Sequence, residues 1–357
     1  LHCDPRTVGP KNSVLDVKSK AGKIAVEDDI CDLTVANLTV KGTLTANISG
    51  LPTATTYGQY LFYNPNSSNW EVGGEKIHIG SGAGETGQAV DTVALGPDAA
   101  KINQGQGAVA IGHDAANTSQ GPDAVAIGNK AANNGGQGTE AIAIGKEAAA
   151  TAQGDKAIAI GSEAGKNQAD NCIAIGSEAG KSVQGANAIA IGVNAGLTNQ
   201  AENTIAIGAS AALTIQAENA IAIGTAASTS QGQGAIAIGA SAGNTAQGAN
   251  AIAIGVNAGA GNTAQGQGAI AIGNSAGQTT SEANSLILNS SGVAVNSTAP
   301  NSLVVATSTL AGAQGDPGGL IQQTGGGVAV TAPGAASGFR HYLVYNSQTG
   351  EIRACPL

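Results

Sequence analysis

The chain has 357 residues and a formal net charge of −9, with 54 glycines, no methionine and only eight aromatic side chains. The acidic balance, with no basic cluster, argues against a nucleic-acid partner, and no apolar run is long enough to span a bilayer, so no membrane insertion by this chain is expected. An interior with so little aromatic area must be built from Ile, Val, Leu and Ala. With Leu at position 1 and no Met anywhere, a processed product or a piece of a longer chain is expected.

Residues 1–56 carry "NSVLDV", "KIAV" and "DLTVANLTVKGTLTANISG". These read as short Thr/Val/Leu strands, a β-rich, shaft-like segment. Residues 57–74 hold the first aromatic group: "QYLFYNPNSSNWEV" reads as strand, Asn-rich turn, strand, a β-hairpin. The four cysteines, Cys3, Cys31, Cys172 and Cys355, have no metal-ligand spacing. A bridge between Cys3 and Cys31 stays open, and Cys172 fits a small apolar role.

Residues 75–310 are a repeat array. A word of the form Ala-Ile-Ala-Ile-Gly recurs thirteen times, ending at Gly80 and then every 15 to 18 residues to Gly273. One and three residues before the marker glycine stand Ile, Val or Leu, and two before stands Ala in every copy but one, where His78 replaces it. Three residues after the glycine comes Ala in all copies, and a Gln always lies eight residues before the next marker. Large-small alternation is the period of a strand. All length variation falls between the small pair and the Gln, as expected of a solenoid with one external loop. A helix is excluded, because no 3.6-residue stripe is present.

In one coil the pattern is carried by Ile158, Ile160, Gly161, Ala164 and Gln168, and in the next by Ile173, Ile175, Gly176, Ala179 and Gln184. Stacked coils place Ile on Ile, so the bulky face is expected to be the buried, cohesive one, with the Gln residues forming amide ladders. The flat Ala face is then either a small-residue outer wall or, in the sharper reading, a subunit interface on a symmetry axis. His78 and Cys172 are expected near that axis.

Two worn copies, "NSLILN" and "NSLVVA", extend the array to about residue 310. A Gly-rich connection is expected over 311–338. A second aromatic β-hairpin follows over 339–357, carried by "HYLVYNSQTGEIR". The two hairpins stand at opposite ends of the array, where they would cover its edge strands.

Chemistry finds little support. Glu147, Glu163 and Glu178 occupy one slot in successive coils, with Lys166 and Lys181 three residues beyond two of them. Stacked carboxylates about 5 Å apart superficially match a retaining glycosidase pair, but a solvated charge ladder is the better reading. No catalytic, cofactor-binding or metal-binding residue is assigned, no cofactor is expected, and the chain is not read as an enzyme. Ice binding is set aside because Thr fills no slot coil after coil. Six N-glycosylation patterns, at Asn37, Asn47, Asn66, Asn117, Asn289 and Asn296, are of the number that an Asn/Ser/Thr-rich chain produces by chance.

The words "TVALG" at 92–96, "AVAIG" at 108–112 and 124–128, and "AIAIG" from 141 onward resemble the head repeat of YadA-like trimeric autotransporter adhesins. The resemblance covers roughly residues 75–310. It implies an all-β, left-handed parallel β-roll (a β-solenoid of ~16-residue coils) that is homotrimeric and has β-rich end segments. In that family three rolls associate as the head of a surface fibre. The flanks, through "DLTVANLTVKGTLTANISG" and the hairpins "QYLFYNPNSSNWEV" and "HYLVYNSQTGEIR", resemble viral and phage trimeric fibre proteins, and neither a coiled-coil stalk nor a barrel anchor is read in the sequence. The expected function is a structural fibre or adhesin head, extracellular on a virion or cell surface. It would attach to a host-surface glycan or protein receptor and be held by an anchor protein. The alternative is a non-adhesive structural solenoid, with ice-binding or glycan-degrading roles further behind. The ligand-binding residues are unknown.

Overall fold

A computed structural model describes residues 52, 54–65, 67–261, 264–306, 320–324, 327–331, 341–345 and 352–356. The shaft-like segment expected over 1–56 lies almost wholly outside these residues, as do Cys3 and Cys31. Two compact units divide the chain: Leu1–Ala54 with Leu61–Glu71, and Thr55–Tyr60 with Val72–Leu357. In the first, Tyr63 and Trp70 meet edge to face at 5.8 Å, and Ser67 Oγ donates to Glu71 Oε1 at 2.6 Å. The strands Tyr60–Asn64 and Asn69–Gly73 form the expected two-stranded sheet.

The second unit is an all-β parallel solenoid. Fifteen strands, from Lys76–Ile79 to Leu303–Ala306, stack in parallel with each coil in register with the next. Ile158, Ala159 and Ile160 pair with Ile173, Ala174 and Ile175, which pair with Ile189, Ala190 and Ile191. Each coil turns away from this sheet at the marker glycine. The small pair then bonds coil to coil, Gly165 N–H to Ala179 C=O at 2.8 Å. The chain returns through the Gln segment, which is paired in parallel at every step from Gln88 to Gln265.

The interior is the reverse of the expectation. Every Ala two residues before a marker glycine, from Ala94 to Ala271, is fully buried, and so are the Ala residues three after it from Ala99 to Ala276. Ile158, Ile160 and Ile173 point outward and are only half-buried, and Ile175 is 37% exposed. The reason is thickness. A Cβ on Gly180 would stand 3.3 Å from the Ala174 Cβ and 2.6 Å from Gln184 Oε1, so the two walls are about one methyl layer apart. Ile fits no such gap, and cohesion comes from closely packed methyl groups, each worth about 0.8 kcal/mol by area.

The Gln residues are buried inside the same layer and form the expected ladder. Nε2 of each donates to Oε1 of the next at 2.8–3.2 Å from Gln88 to Gln184, and again from Gln200 to Gln265. The same nitrogens reach backbone carbonyls, as Gln120 does to Val109 at 2.9 Å and Ala124 at 3.1 Å. At the step from Gln184 to Gln200 the ladder breaks, and Gln200 Oε1 is buried without a partner.

Both ends of the stack are closed. Tyr60 donates its hydroxyl hydrogen to Lys76 C=O at 2.8 Å and accepts from the His78 N–H at 3.0 Å, occupying the free edge of the first strand. At the far end Leu320–Thr324 lies antiparallel on Leu303–Ala306, and Gly327–Thr331 lies antiparallel on that. The segment 311–338 is therefore more than a connection, because it contributes the two strands that close the last coil. The aromatic strands His341–Tyr345 and Ile352–Pro356 pair as the expected antiparallel hairpin.

Candidate functional site: the outward face of the roll

The feature that the fold leaves unaccounted for is the outward sheet face. Two rows of Ile, Val or Leu run the length of the stack, one and three residues before each marker glycine. Ile175, Ile238, Ile254, Ile272 and Leu288 are 36–38% exposed, and the other members are mostly half-buried. Thirteen coils at strand spacing make a stripe roughly 60 Å long and about 10 Å wide. A contiguous apolar patch of several hundred Å² marks an interaction surface. The Ala face can be neither the outer wall nor the subunit interface that the sequence suggested, because the Ala residues have no surface left to offer.

The residues singled out in the sequence fall into place accordingly. Gly161 and Gly176 turn the chain at φ of +133° and +129°. Ala164 and Ala179 are buried opposite the inward Ala row, and Gln168 donates to Gln184 at 2.8 Å. His78 does not lie on the outward face. It takes the inward slot of the first strand, and its ring meets Tyr60 edge-on at 6.1 Å. Cys172 is likewise interior, packed with Ala157 and Ala188, its thiol donating to Gly185 C=O at 2.9 Å. Burial pushes its pKa up, as suits a small apolar residue.

The stacked carboxylates form an alternating zipper with lysines. Lys166 Nζ lies 3.2 Å from Glu147 and 2.8 Å from Glu163, and Lys181 Nζ lies 2.9 Å from both Glu163 and Glu178. Hydrogen bonds from Lys166 and then Lys181 hold Glu163 ionised, with its pKa lowered to about 2. A glycosidase acid needs the opposite shift, so that it carries a proton near neutrality.

Two signals in the sequence went unread. Five residues before the marker stands Asn, Asp or Gly in most coils, and Asn171, Asn187, Asn203 and Asn219 there have φ of +58° to +61°. These are the residue types that tolerate a left-handed turn. Thr also does fill a slot, two before the Gln, at Thr198, Thr214, Thr229 and Thr245. Their hydroxyls donate to carbonyls of the following coil, as Thr198 does to Thr214 at 2.7 Å, tying one variable turn to the next. Of the sequons, Asn117 already spends its amide on Asp98 C=O and Asp114, and Asn289 is buried.

Among the described residues no cluster of His, Cys, Asp or Glu is arranged to hold a metal ion, and no helix is long and apolar enough to cross a membrane. A family model described as the YadA head domain repeat matches residues 104–131, 137–164 and 216–242. No curated protein and no solved structure matches the chain.

Proposed function

We propose that this chain, whose residues 104–131, 137–164 and 216–242 match the YadA head domain repeat, forms the head of a homotrimeric surface fibre, with three rolls joined through their Ile faces. The observation that carries this reading is the inversion described above. The interior is complete without the Ile residues, yet two continuous rows of them remain on the outside. Covering that face with two copies of itself removes the exposed apolar stripe and closes the assembly around one axis. The fibre then presents its turns and ends to a host or partner surface, a glycan or a protein, from a virion or a cell to which an anchor protein holds it. The role is mechanical and adhesive, with no enzymatic step. The lysine-locked Glu163, which cannot supply a proton near neutrality, supports that part.

Sedimentation equilibrium under native conditions tests the assembly. A mass near three times 34.4 kDa is expected, and a monomer at micromolar concentration sinks the reading. Binding of the trimer to arrayed glycans and to intact cells then tests adhesion. Binding equal to that of an unrelated acidic protein would leave the structural solenoid without an adhesive role.

A further inference from the structure

The Ile face is chemically uniform, which raises a problem of register. Ile158, Ile173, Ile189 and Ile205 offer a neighbouring copy the same contact at every level, so sliding by one coil, roughly 4.8 Å, costs the apolar rows little. A ring of three closes only when neighbours sit at the same height. A contact slipped by one coil does not close and continues as a staggered filament.

The two flanks of the Ile face carry what the face lacks. In a cyclic trimer one flank of each roll meets the opposite flank of the next, level with level. On the flank before the strand stand Asp123 and Glu140, and on the flank after it, in the same two coils, stand Lys130 and Lys146. All four are exposed. Within the chain the two sides are separated by the strand Val125–Ile127 or Ile142–Ile144 and a turn at each end, on the order of 13 Å or more, and so beyond the range of a close surface pair. Lys101, Lys166 and Lys181 have carboxylates of their own at 2.8–3.0 Å, whereas the nearest ion pair of Lys146 is 4.0 Å long, to Glu147. One coil further on the sign changes, because Lys156 takes the slot of Asp123 and Glu140.

We propose that Lys130 and Lys146 of one copy pair with Asp123 and Glu140 of its neighbour, and that these charges fix the axial register that closes the ring. In register both pairs are attractive; Glu147, which stands beside Lys146, is taken up by Lys166 of its own chain at 3.2 Å. Slipped one way, Lys130 meets Glu140 but Lys146 meets Lys156; slipped the other way, Lys146 meets Asp123 but Lys130 meets Gly107, so either slip keeps one attractive pair of the two. The inference rests on the trimer proposed above and adds the element that selects it over a filament.

The test compares the wild-type chain with Lys130→Glu/Lys146→Glu and with the swap that adds Asp123→Lys/Glu140→Lys and, so that the slipped register stays unfavourable, Lys156→Glu. None of these changes endangers the coil. Glu147 and Glu163 already occupy the slot of Lys130, Lys146 is exposed, and Lys156 already occupies the slot of Asp123 and Glu140 at positive φ. By sedimentation at about 50 mM salt the double variant is expected to associate on the order of tenfold more weakly or to give staggered, higher-mass species, and the full swap, with position 156 reversed as well, to restore the trimer. A trimeric wild type whose double variant is equally trimeric overturns this proposal and leaves the trimer standing. A monomeric wild type overturns both.

Discussion

At the marker glycine two constraints meet. The backbone of Gly161 needs φ of +133°, and a Cβ there would lie 2.4 Å from the carbonyl oxygen of Gly176 in the next coil. An Ala at this position is wrong for both reasons, so Gly161→Ala is expected to cost about 2–4 kcal/mol, read as a lower urea midpoint. The charge zipper is governed by protons instead. Glu163 titrates lower folded than unfolded, so its contribution is full above the ordinary carboxylate pKa near 4.5 and is lost as pH falls towards about 2. The thermal midpoint of the wild type is therefore expected to fall over that window more steeply than that of Glu163→Gln. Parallel curves for the two proteins would show that the zipper does not contribute.

The coil itself can be tested by exchanging its two faces. Ala174→Leu forces a large side chain into a space one methyl layer thick, and a loss of about 1–3 kcal/mol or more is expected in denaturant melts. Ile175→Ala, one residue later, removes an outward side chain that is 37% exposed, so the isolated coil loses little while association weakens. Equal destabilisation of the monomer by both changes contradicts the inverted interior. Gln120→Leu breaks the ladder on both sides, taking the donor from Gln137 Oε1 and the acceptor from Gln104 Nε2. Unsatisfied buried amides cost about 1–3 kcal/mol each, so this variant is expected to melt well below wild type. Much of this element was legible in the sequence: its strand, its turn, its Gln ladder and the loop that varies. The inside and outside of the strand were not, because alternation marks two faces without saying which is enclosed. The missing quantity was the gap between walls, set by residues such as Gly180 and Gln184 that lie outside the Ile word, on the facing wall of the coil. The left-handed slots were legible too, in the Asn run from Asn171 to Asn219, but only once a backbone reason was known.

At the scale of the roll, the ends matter as much as the flanks. The free N–H and C=O of the first strand are satisfied by the single hydroxyl of Tyr60, which mimics one more strand at a point. Tyr60→Phe uncovers that edge, and light scattering is expected to show end-to-end association that rises with concentration. An unchanged mass at high concentration argues that the far end, closed by Leu320–Thr324, is enough to prevent it. Hairpins at the ends were visible as aromatic groups, but neither the part played by one phenol nor the closing pair of strands beyond residue 319 was. Because every segment from one Gln to the next is a self-contained coil, a recombination event that deletes residues 184–199 joins Gln200 to the coil that Gln184 occupied, with phase intact. The gene for such a chain can lengthen or shorten in whole steps, each moving the tip by roughly one strand spacing while both termini keep their form. Reach then becomes a trait that selection adjusts by counting.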